Sequence, residues 1–397
     1  MRNIIVTGGE LFNKGAQAMT FIAVSEIRQR FPNHEIFLLS EMDFARPQAE
    51  KEIYNFRFMG WYPVKFARSR KNPMLRMLCS IKNRREYKEA LEIYQNCDAL
   101  IDISGYALGS NWSQATCDRY LNHLEFAHAF QIPVYLMPQS FGPFAFGDAH
   151  PGIDARCRKL LPTAKVIFAR EQEGYDALTK TYGLTNVRLA QDIVLSSKEV
   201  DLSRIFKSPP NFNIPAILPN STALIPNTMN ANVSETGAVQ QSYADIIHTL
   251  LRYGRNVYII SHSVMDAAFC RSLKELFAED ERVILLDRDF TCLEFNALVK
   301  RFDYCVASRF HSIVHAYKNG IPCIVLGWAT KYHDLLKQFK QDRYMFDVRK
   351  QMDSLEIANA IARMEQQHRK ESKIILAELS KVQNLNVFDI LGKSENI

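Results

Sequence analysis

Two residues with complementary chemistry, Arg309 and His311, lie two positions apart in the segment 303–312. The apolar run at 304–307 predicts a buried strand, and the residues from 313 to Gly320 predict a helix. Both side chains would therefore lie where the strand ends and the helix begins. Backbone N–H groups at a helix start can bind an anion, and an arginine adds a planar fork of donors that fits phosphate or carboxylate. With a histidine to donate or accept a proton, the segment predicts an anion site beside a proton-transfer group.

A purely structural role for these residues is the alternative. Arg309 could pair with a structural carboxylate, and His311 could form hydrogen bonds beneath the helix. The pair alone is compatible with both interpretations.

Composition limits the class of protein. The chain has 397 residues, 47% of them hydrophobic and 23% charged, which suits a soluble globular protein of two domains. Arg2 and Asn3 lead directly into a short strand, which argues against a signal peptide, and no apolar run is long enough to span a bilayer. Eight cysteines lack metal-ligand or paired spacing, and they predict reduced core thiols in a cytoplasmic protein.

Positive charge is concentrated in the segment 65–88. It contains nine Lys and Arg residues and one acid, Glu86, with apolar residues at roughly helical spacing. Such a basic amphipathic segment favours an anionic membrane surface or a polyanionic ligand. A solvated helix that covers its own domain is the alternative. Nucleic acid is not favoured, because no nucleic-acid-binding motif accompanies the segment.

Strands and helices alternate from the start of the chain. The strand Ile4–Thr7, a glycine turn at Gly8-Gly9, a helix from about Ala16 to Arg30 and a second strand form a βαβ opening. Later strands also end in polar or glycine residues, which predicts a parallel sheet with a functional carboxyl edge. The alternation restarts after a Pro- and Asn-rich stretch. We predict an α/β protein of two Rossmann-like domains that face each other across a cleft, a GT-B-like architecture. The predicted parts are an N-terminal acceptor-side domain (1–205), a linker (206–222), a C-terminal donor-side domain (223–345) and C-terminal helices (346–397) that could pack back on the first domain.

Polar residues at the predicted carboxyl edges form a candidate ligand-binding set. Its members are Asn13, Gly105, Gln139, Arg170, Asn227, His262, Arg309, His311 and Lys331. The set is strongly cationic and suits a small, densely anionic substrate, although Arg170 could be neutralised by Glu171 or Glu173. Asp98, Asp102 and Asp192 are too far apart in sequence to predict a metal pair, and no Ser-His-Asp or P-loop signature is present.

Several short motifs, in their order and spacing, resemble those of the polysaccharide pyruvyl transferases over nearly the whole chain. They are Gly8-Gly9 with Asn13-Lys14-Gly15, Pro138–Pro143, Arg170-Glu171, Gln191-Asp192, Ser308–Ser312, and Gly327 followed by Lys331. The resemblance implies a GT-B-like fold and transfer of pyruvate from phosphoenolpyruvate to two hydroxyls of a sugar, as a cyclic ketal. It implies that Arg170, Arg309 and His311 hold phosphoenolpyruvate.

We therefore expect His311 and Arg309 to be catalytic, with His311 as the acid that protonates the donor. The expected donor-binding residues are Arg170, Arg309, Phe310, His311, Ser312 and Lys331, and the expected acceptor-binding residues are Asn13, Gly15, Gly105 and Gln139. No metal or cofactor is expected beyond phosphoenolpyruvate as co-substrate. Two segments depart from the family pattern: Ala16-Gln17 replaces a common acidic pair, and the loop predicted after Ile103 has Ser104-Gly105-Tyr106 where glycines are usual. Both lie on the expected acceptor side and leave the acceptor open.

The expected partners are phosphoenolpyruvate and a sugar or oligosaccharide in a cell-surface polysaccharide or its lipid-linked precursor. The expected location is the cytoplasm, with peripheral contact at the inner membrane face through 65–88. Two other functions stay open. A nucleotide-sugar glycosyltransferase with the GT-B fold would have to hold a base and a ribose, and a non-catalytic relative would bind polysaccharide and tolerate replacement of His311.

Overall fold

Strands and helices alternate along the chain in the structure, a computed structural model. It describes residues 2–60, 84–230, 239–349 and 353–392, with the backbone alone at 84–87. The strands are β1 (Asn3–Thr7), β2 (Glu35–Leu39), β3 (Arg57–Met59), β4 (Cys97–Asp102), β5 (Tyr106–Leu108), β6 (Val134–Phe141), β7 (Val166–Ala169), β8 (Val187–Leu189), β9 (Ser221–Ile225), β10 (Asn256–Ile260), β11 (Val283–Leu286), β12 (Tyr304–Ala307), β13 (Cys323–Gly327) and β14 (Met345–Asp347). The helices are α1 (Lys14–Arg30), α2 (Glu41–Phe44), α3 (Gln48–Lys51), α4 (Arg84–Gln95), α5 (Gln114–Ala129), α6 (Ile153–Leu160), α7 (Gln172–Asp176), α8 (Ile193–Ser196), α9 (Val239–Arg252), α10 (Ala267–Glu275), α11 (Cys292–Val299), α12 (Phe310–Lys318), α13 (Thr330–Gln338) and α14 (Ser354–Val382).

The chain folds into two compact units. Unit 1 comprises Met1–Ile193, Ser197–Pro210 and Asn386–Ile397, and unit 2 comprises Val194–Ser196 and Asn211–Leu385. Each unit has its own parallel sheet. The order is β3-β2-β1-β4-β6-β7-β8 in unit 1, with β5 beside β6, and β11-β10-β9-β12-β13-β14 in unit 2. The predicted α/β class with two Rossmann-like domains is therefore confirmed.

The two sheets share one topological feature that locates a binding site. In each sheet, the chain first forms an inner strand and then adds strands out to one edge. It then crosses over and adds the remaining strands on the other side of that first strand. The reversal falls between β1 and β4 in unit 1 and between β9 and β12 in unit 2. In open parallel sheets, ligands bind outside the carboxyl ends of the strands at such a reversal.

Continuous apolar strands account for the parallel pairing. All five residues of β1 and all four of β12 are buried, as expected for strands covered by helices on both faces. Among the described cysteines none forms a disulfide, and all except Cys97 are buried, which agrees with the predicted core thiols.

The sequence patterns do not predict three of the strands. β3, β5 and β14 have three residues each, which is too short for a periodic pattern to be recognised. The segment 104–106 is predicted as loop, but Tyr106 pairs with Ser140 and starts β5. α1 begins two residues earlier than predicted, because the Asn13 side chain accepts hydrogen bonds from the backbone N–H groups of Gly15 (2.9 Å) and Ala16 (3.3 Å).

The predicted basic segment 65–88 lies outside the described residues as far as position 83. From Arg84 onward the chain belongs to α4. In the described part of the chain, no helix is both long and apolar enough to cross a membrane.

A buried histidine on α5 predicts a pH dependence of stability. Burial, aided by the positive charge of Arg119, lowers the pKa of His123 to about 3. In the unfolded chain, the His123 imidazole takes up a proton below about pH 6.5, whereas in the folded chain it stays neutral there. Acid therefore favours unfolding. As the pH falls below about 6.5, wild type should lose up to roughly 1.4 kcal/mol of unfolding free energy per pH unit through His123. We expect His123→Leu to lose that much less.

Urea unfolding at pH 7, 6 and 5 measures this change. His128→Leu on the same helix is the matched control, because His128 is exposed. Equal pH dependence in wild type and His123→Leu would show that His123 is not the titrating group.

Candidate active site

The strand-order reversal of unit 2 brings together the ends of β9 and β12. Asn227 follows β9, and its Nδ2 donates to the carbonyl oxygen of Ser308, which follows β12 (3.3 Å). Asn227 also accepts from the backbone N–H of Met229 (3.0 Å) and thereby fixes the turn that carries Thr228. The predicted edge residue Asn227 thus links the two loops at the position where a ligand is expected.

Arg309 lies at the start of α12 and is held by a buried carboxylate. Its Nε donates to Asp266 Oδ2 (2.8 Å) and its Nη2 to Asp266 Oδ1 (2.7 Å), a bidentate pair. Asp266 is fully buried, whereas the Arg309 side chain is 22% exposed. The third nitrogen, Nη1, takes no part in the pair. Asp266 therefore binds one edge of the guanidinium and leaves the rest directed away from the pair.

The same carboxylate also holds the loop after β9. Asp266 Oδ1 accepts from the backbone N–H (3.0 Å) and the hydroxyl (2.9 Å) of Thr228. Because the ends of β9, β10 and β12 converge on Asp266, the position of Arg309 is fixed by three strands.

A second polar network lies beneath this loop. The Tyr243 hydroxyl and Ser308 Oγ are 2.6 Å apart, and Asn230 Nδ2 donates to the Tyr243 hydroxyl (3.3 Å). The Tyr332 hydroxyl donates to the carbonyl oxygen of Ser308 (3.0 Å). Burial raises the pKa of Tyr243 to about 12, so this phenol keeps its proton at neutral pH. Ser308, the residue just before Arg309, is therefore held by two tyrosines, one at its side chain and one at its backbone carbonyl.

Other predicted donor residues lie around the start of α12. The helix has no acidic residue in its first turn and no side-chain cap, and His311 is partly buried in that turn. The Phe310 ring meets His311 edge to face (5.4 Å between ring centres), and Lys331 Nζ lies 5.1 Å from the centre of the Phe310 ring. Ser312 is buried, and its hydroxyl donates to the carbonyl oxygen of Arg309 (2.6 Å). The structure thus groups Arg309, Phe310, His311 and Lys331, and it uses the Ser312 hydroxyl within the helix.

Arg170 belongs to unit 1 and forms its own buried network. Its Nη1 contacts Asp192 Oδ2 and its Nη2 donates to Ser140 Oγ, both at 2.6 Å. Ser140 Oγ donates in turn to Glu171 Oε1 (2.9 Å). Three of the short sequence motifs therefore meet at the ends of β6, β7 and β8. Both arginines are paired with carboxylates, so the described site groups are less cationic than the sequence predicts.

The predicted acceptor residues occupy the ends of β1, β4 and β6 in unit 1. Asn13 caps α1, and Gly15 is buried in its first turn. Gly105 has a positive φ of 68° and lies against Met19, where a Cβ would come within 3.1 Å of the Met19 methyl. Gln139 is fully buried, and its Nε2 donates to Asp102 Oδ1 (3.1 Å) and to the Met137 carbonyl oxygen (3.2 Å). The polar side chains of Asn13 and Gln139 thus have contacts within unit 1.

Comparison with known proteins decides the family. The family model for polysaccharide pyruvyl transferase matches residues 13–330. The chain belongs to the polysaccharide pyruvyl transferase family. No curated protein matched the chain in a sequence search.

This pyruvyl transferase family member also resembles solved structures over nearly its whole length. The UDP-GlcNAc 2-epimerase from Methanocaldococcus jannaschii has a TM-score of 0.57 at 12% identity, over 96% of this chain and 100% of that one. MnaA of S. aureus, solved with UDP, has a TM-score of 0.54 at 10% identity, over 97% and 92%. UGT71G1 from Medicago truncatula, complexed with UDP-glucose, has a TM-score of 0.53 at 11% identity, over 96% and 94%. These similarities concern the fold, and they agree with the predicted GT-B-like class.

Sequence analysis of this family member missed Asp266 and Thr228. A usable signal for Asp266 exists, since it follows β10 after a Ser263-capped turn and immediately precedes α10. An acid between a strand and a helix at the carboxyl edge is a candidate partner for an arginine on the same edge. Among the described residues, no group of three or more His, Cys, Asp and Glu side chains could hold a metal ion.

Proposed function

We propose that this protein transfers pyruvate from phosphoenolpyruvate to two hydroxyls of a sugar and forms a pyruvate ketal. The sugar would belong to a cell-surface polysaccharide or to its lipid-linked precursor. Family membership supports a transferase that acts on a polysaccharide. The basic composition of 65–88 supports peripheral contact with an anionic membrane surface at the cytoplasmic face.

The observation that most supports the donor is the Arg309–Asp266 pair at the start of α12. Asp266 fixes the guanidinium by two hydrogen bonds, while Nη1 remains outside the pair. Phosphoenolpyruvate carries a phosphate and a carboxylate, and a fixed guanidinium next to a helix N-terminus suits either group. Lys331, close to the Phe310 ring, adds a second positive charge in unit 2.

The reaction balances without a cofactor. Protonation of the methylene carbon of phosphoenolpyruvate makes a methyl group and leaves a cationic carbon at C2. One sugar hydroxyl attacks C2, the C–O bond to phosphate breaks, and the second hydroxyl then closes the ketal. Of the two hydroxyl protons, one replaces the proton given to the methyl group and the other leaves with inorganic phosphate. We assign His311 as the acid and Arg309 as the group that stabilises the departing phosphate.

Calorimetric titration with phosphoenolpyruvate tests this proposal. We expect wild type to bind and Arg309→Ala to bind roughly 10- to 100-fold more weakly, because a charge-assisted hydrogen bond to the donor is lost. His311→Asn should bind nearly as wild type but release little phosphate when a sugar acceptor is supplied. Arg271→Ala is the matched control, since this exposed arginine of unit 2 also pairs with an aspartate, Asp287. Arg170→Ala tests the remaining arginine of the predicted donor set.

Other outcomes would favour another function. If wild type ignores phosphoenolpyruvate but is stabilised by UDP, a nucleotide-sugar glycosyltransferase replaces the proposal. If His311→Asn retains full function in cells, a non-catalytic polysaccharide-binding protein does so.

A further inference from the structure

An exposed tryptophan lies at the carboxyl edge of unit 1. Trp112 belongs to the short loop between β5 and α5, and 38% of it is exposed. Its indole contacts the ring of Tyr106, with ring centres 5.3 Å apart. A large aromatic side chain that stays at the surface loses part of the free energy of burial.

The backbone around Trp112 is fixed on both sides. The N–H of Ser110 donates to the Pro143 carbonyl oxygen (2.7 Å), and His150 Nε2 donates to the Trp112 carbonyl oxygen (2.6 Å). The loop also packs closely at Gly109, where a Cβ would come within 2.4 Å of the Gly142 carbonyl oxygen. The exposure of Trp112 is therefore imposed by an ordered loop, as expected for a preorganised contact surface.

Polar groups suited to sugar hydroxyls lie beside the two rings. Tyr106 is paired with Ser140 across β5 and β6, and Ser140 donates to Glu171. The Tyr106 hydroxyl donates to the Gly142 carbonyl oxygen (2.8 Å), which fixes the ring. Glu171 therefore lies close to Tyr106, and its side chain, which is 11% exposed, is also 3.6 Å from Arg170 Nε.

We propose that Trp112, supported by Tyr106, is a stacking platform for a pyranose ring of the acceptor, with Glu171 as the nearby hydrogen-bond acceptor for its hydroxyls. A pyranose has an apolar C–H face that packs on an indole and hydroxyls around its rim that donate to a carboxylate. The role of the bound sugar as the acceptor rests on the proposed function, but sugar binding at Trp112 can be tested without the reaction.

Saturation-transfer NMR on the full chain, without phosphoenolpyruvate, is the direct test. The probes are the methyl β-pyranosides of glucose, galactose and N-acetylmannosamine at millimolar concentration. We expect transfer to the ring C–H protons of at least one glycoside in wild type, loss of the signal in Trp112→Ala, and partial retention in Trp112→Phe. Ile53→Ala is the matched control, because Ile53 is also an exposed apolar residue of unit 1.

The same variants in the transferase assay give a second readout. With saturating phosphoenolpyruvate, Trp112→Ala should raise KM for the acceptor by about tenfold, with little change in kcat or in phosphoenolpyruvate affinity. Equal signals in wild type and Trp112→Ala, or no signal from any glycoside with wild type, would overturn the inference. Sugar binding at Trp112 in a protein that does not bind phosphoenolpyruvate would instead keep this inference and reject the proposed function.

Discussion

Replacement of Asp266 by asparagine should lower kcat/KM for pyruvyl transfer by roughly 100-fold or more, a loss of the size seen when a preorganised charge-stabilising group is removed. Asp266 binds Arg309 through both carboxylate oxygens and also holds Thr228. An asparagine offers one acceptor oxygen and turns an N–H₂ group toward a guanidinium that can only donate. Arg309 would lose its fixed orientation and its counter-charge in a partly buried position.

Phosphate release at varied phosphoenolpyruvate concentration measures this loss. Asp287→Asn is the matched control, because Asp287 and Arg271 form an Arg–Asp pair of the same unit in which both side chains are about half exposed. We expect that control to retain wild-type rates, since surface ion pairs contribute little.

A general loss of stability would also lower activity, and a double variant separates the two causes. Asp266→Asn should destabilise unit 2, because a partly buried cation is left without its partner. Asp266→Asn combined with Arg309→Met removes that unpaired charge and should recover part of the melting temperature, but not the activity. If Asp266→Asn alone keeps near wild-type kcat/KM, Arg309 does not need this carboxylate, and the proposed donor site loses its main support.

The strand order explains why the sequence does not identify Asp266 as the partner of Arg309. Asp266 precedes Arg309 by 43 positions, and the two meet because β10, β9 and β12 are neighbours in the sheet. Local patterns predict each strand and the helix that follows it, and they place Arg309 and His311 at a strand end. They contain no information on which strands become neighbours, so the partner of Arg309 stays unknown until the sheet is formed.

Arg170 illustrates the same limit in unit 1. The sequence offers its neighbours Glu171 and Glu173 as partners, but the shorter contact is to Asp192, which follows the adjacent strand β8. In both units, an arginine after one strand is thus paired with an aspartate after another strand of the same sheet. The pairing lowers the net positive charge but fixes the direction of each guanidinium, which favours specificity over simple electrostatic attraction.

The sequence does not identify Trp112 as a binding residue, for a different reason. An isolated tryptophan in a polar loop has no spacing that distinguishes a binding surface from a buried anchor. Its exposure and its contact with Tyr106 depend on β5, a three-residue strand that the sequence pattern does not predict.

Replacement of Asp102 by alanine should give the largest loss of stability in unit 1. Asp102 is buried at the strand-order reversal, and its carboxylate accepts from the Thr7 hydroxyl (2.7 Å), the Ser104 backbone N–H (3.1 Å), the Ser104 hydroxyl (2.9 Å) and Gln139 Nε2 (3.1 Å). Burial raises the pKa of Asp102, while these four hydrogen bonds act to lower it. Alanine leaves the donors of three segments without their acceptor, and we expect a loss of about 3–5 kcal/mol in unfolding free energy.

Graded variants connect this loss to the hydrogen bonds. Thr7→Val keeps the shape of the side chain and removes one donor, so it should cost only about 1 kcal/mol. Asp176→Ala removes a partly exposed carboxylate of unit 1 that pairs with Lys180, and it should leave the unfolding midpoint unchanged. Urea unfolding gives the magnitudes, and hydrogen exchange of peptides that contain β1 and β4 assigns the loss to unit 1. If these strands exchange as slowly in Asp102→Ala as in wild type, the apolar packing of β1 and β4 holds the edge without the carboxylate. Faster exchange there, in proportion to the number of hydrogen bonds removed, would identify Asp102 as the group that joins the β1, β4 and β6 ends.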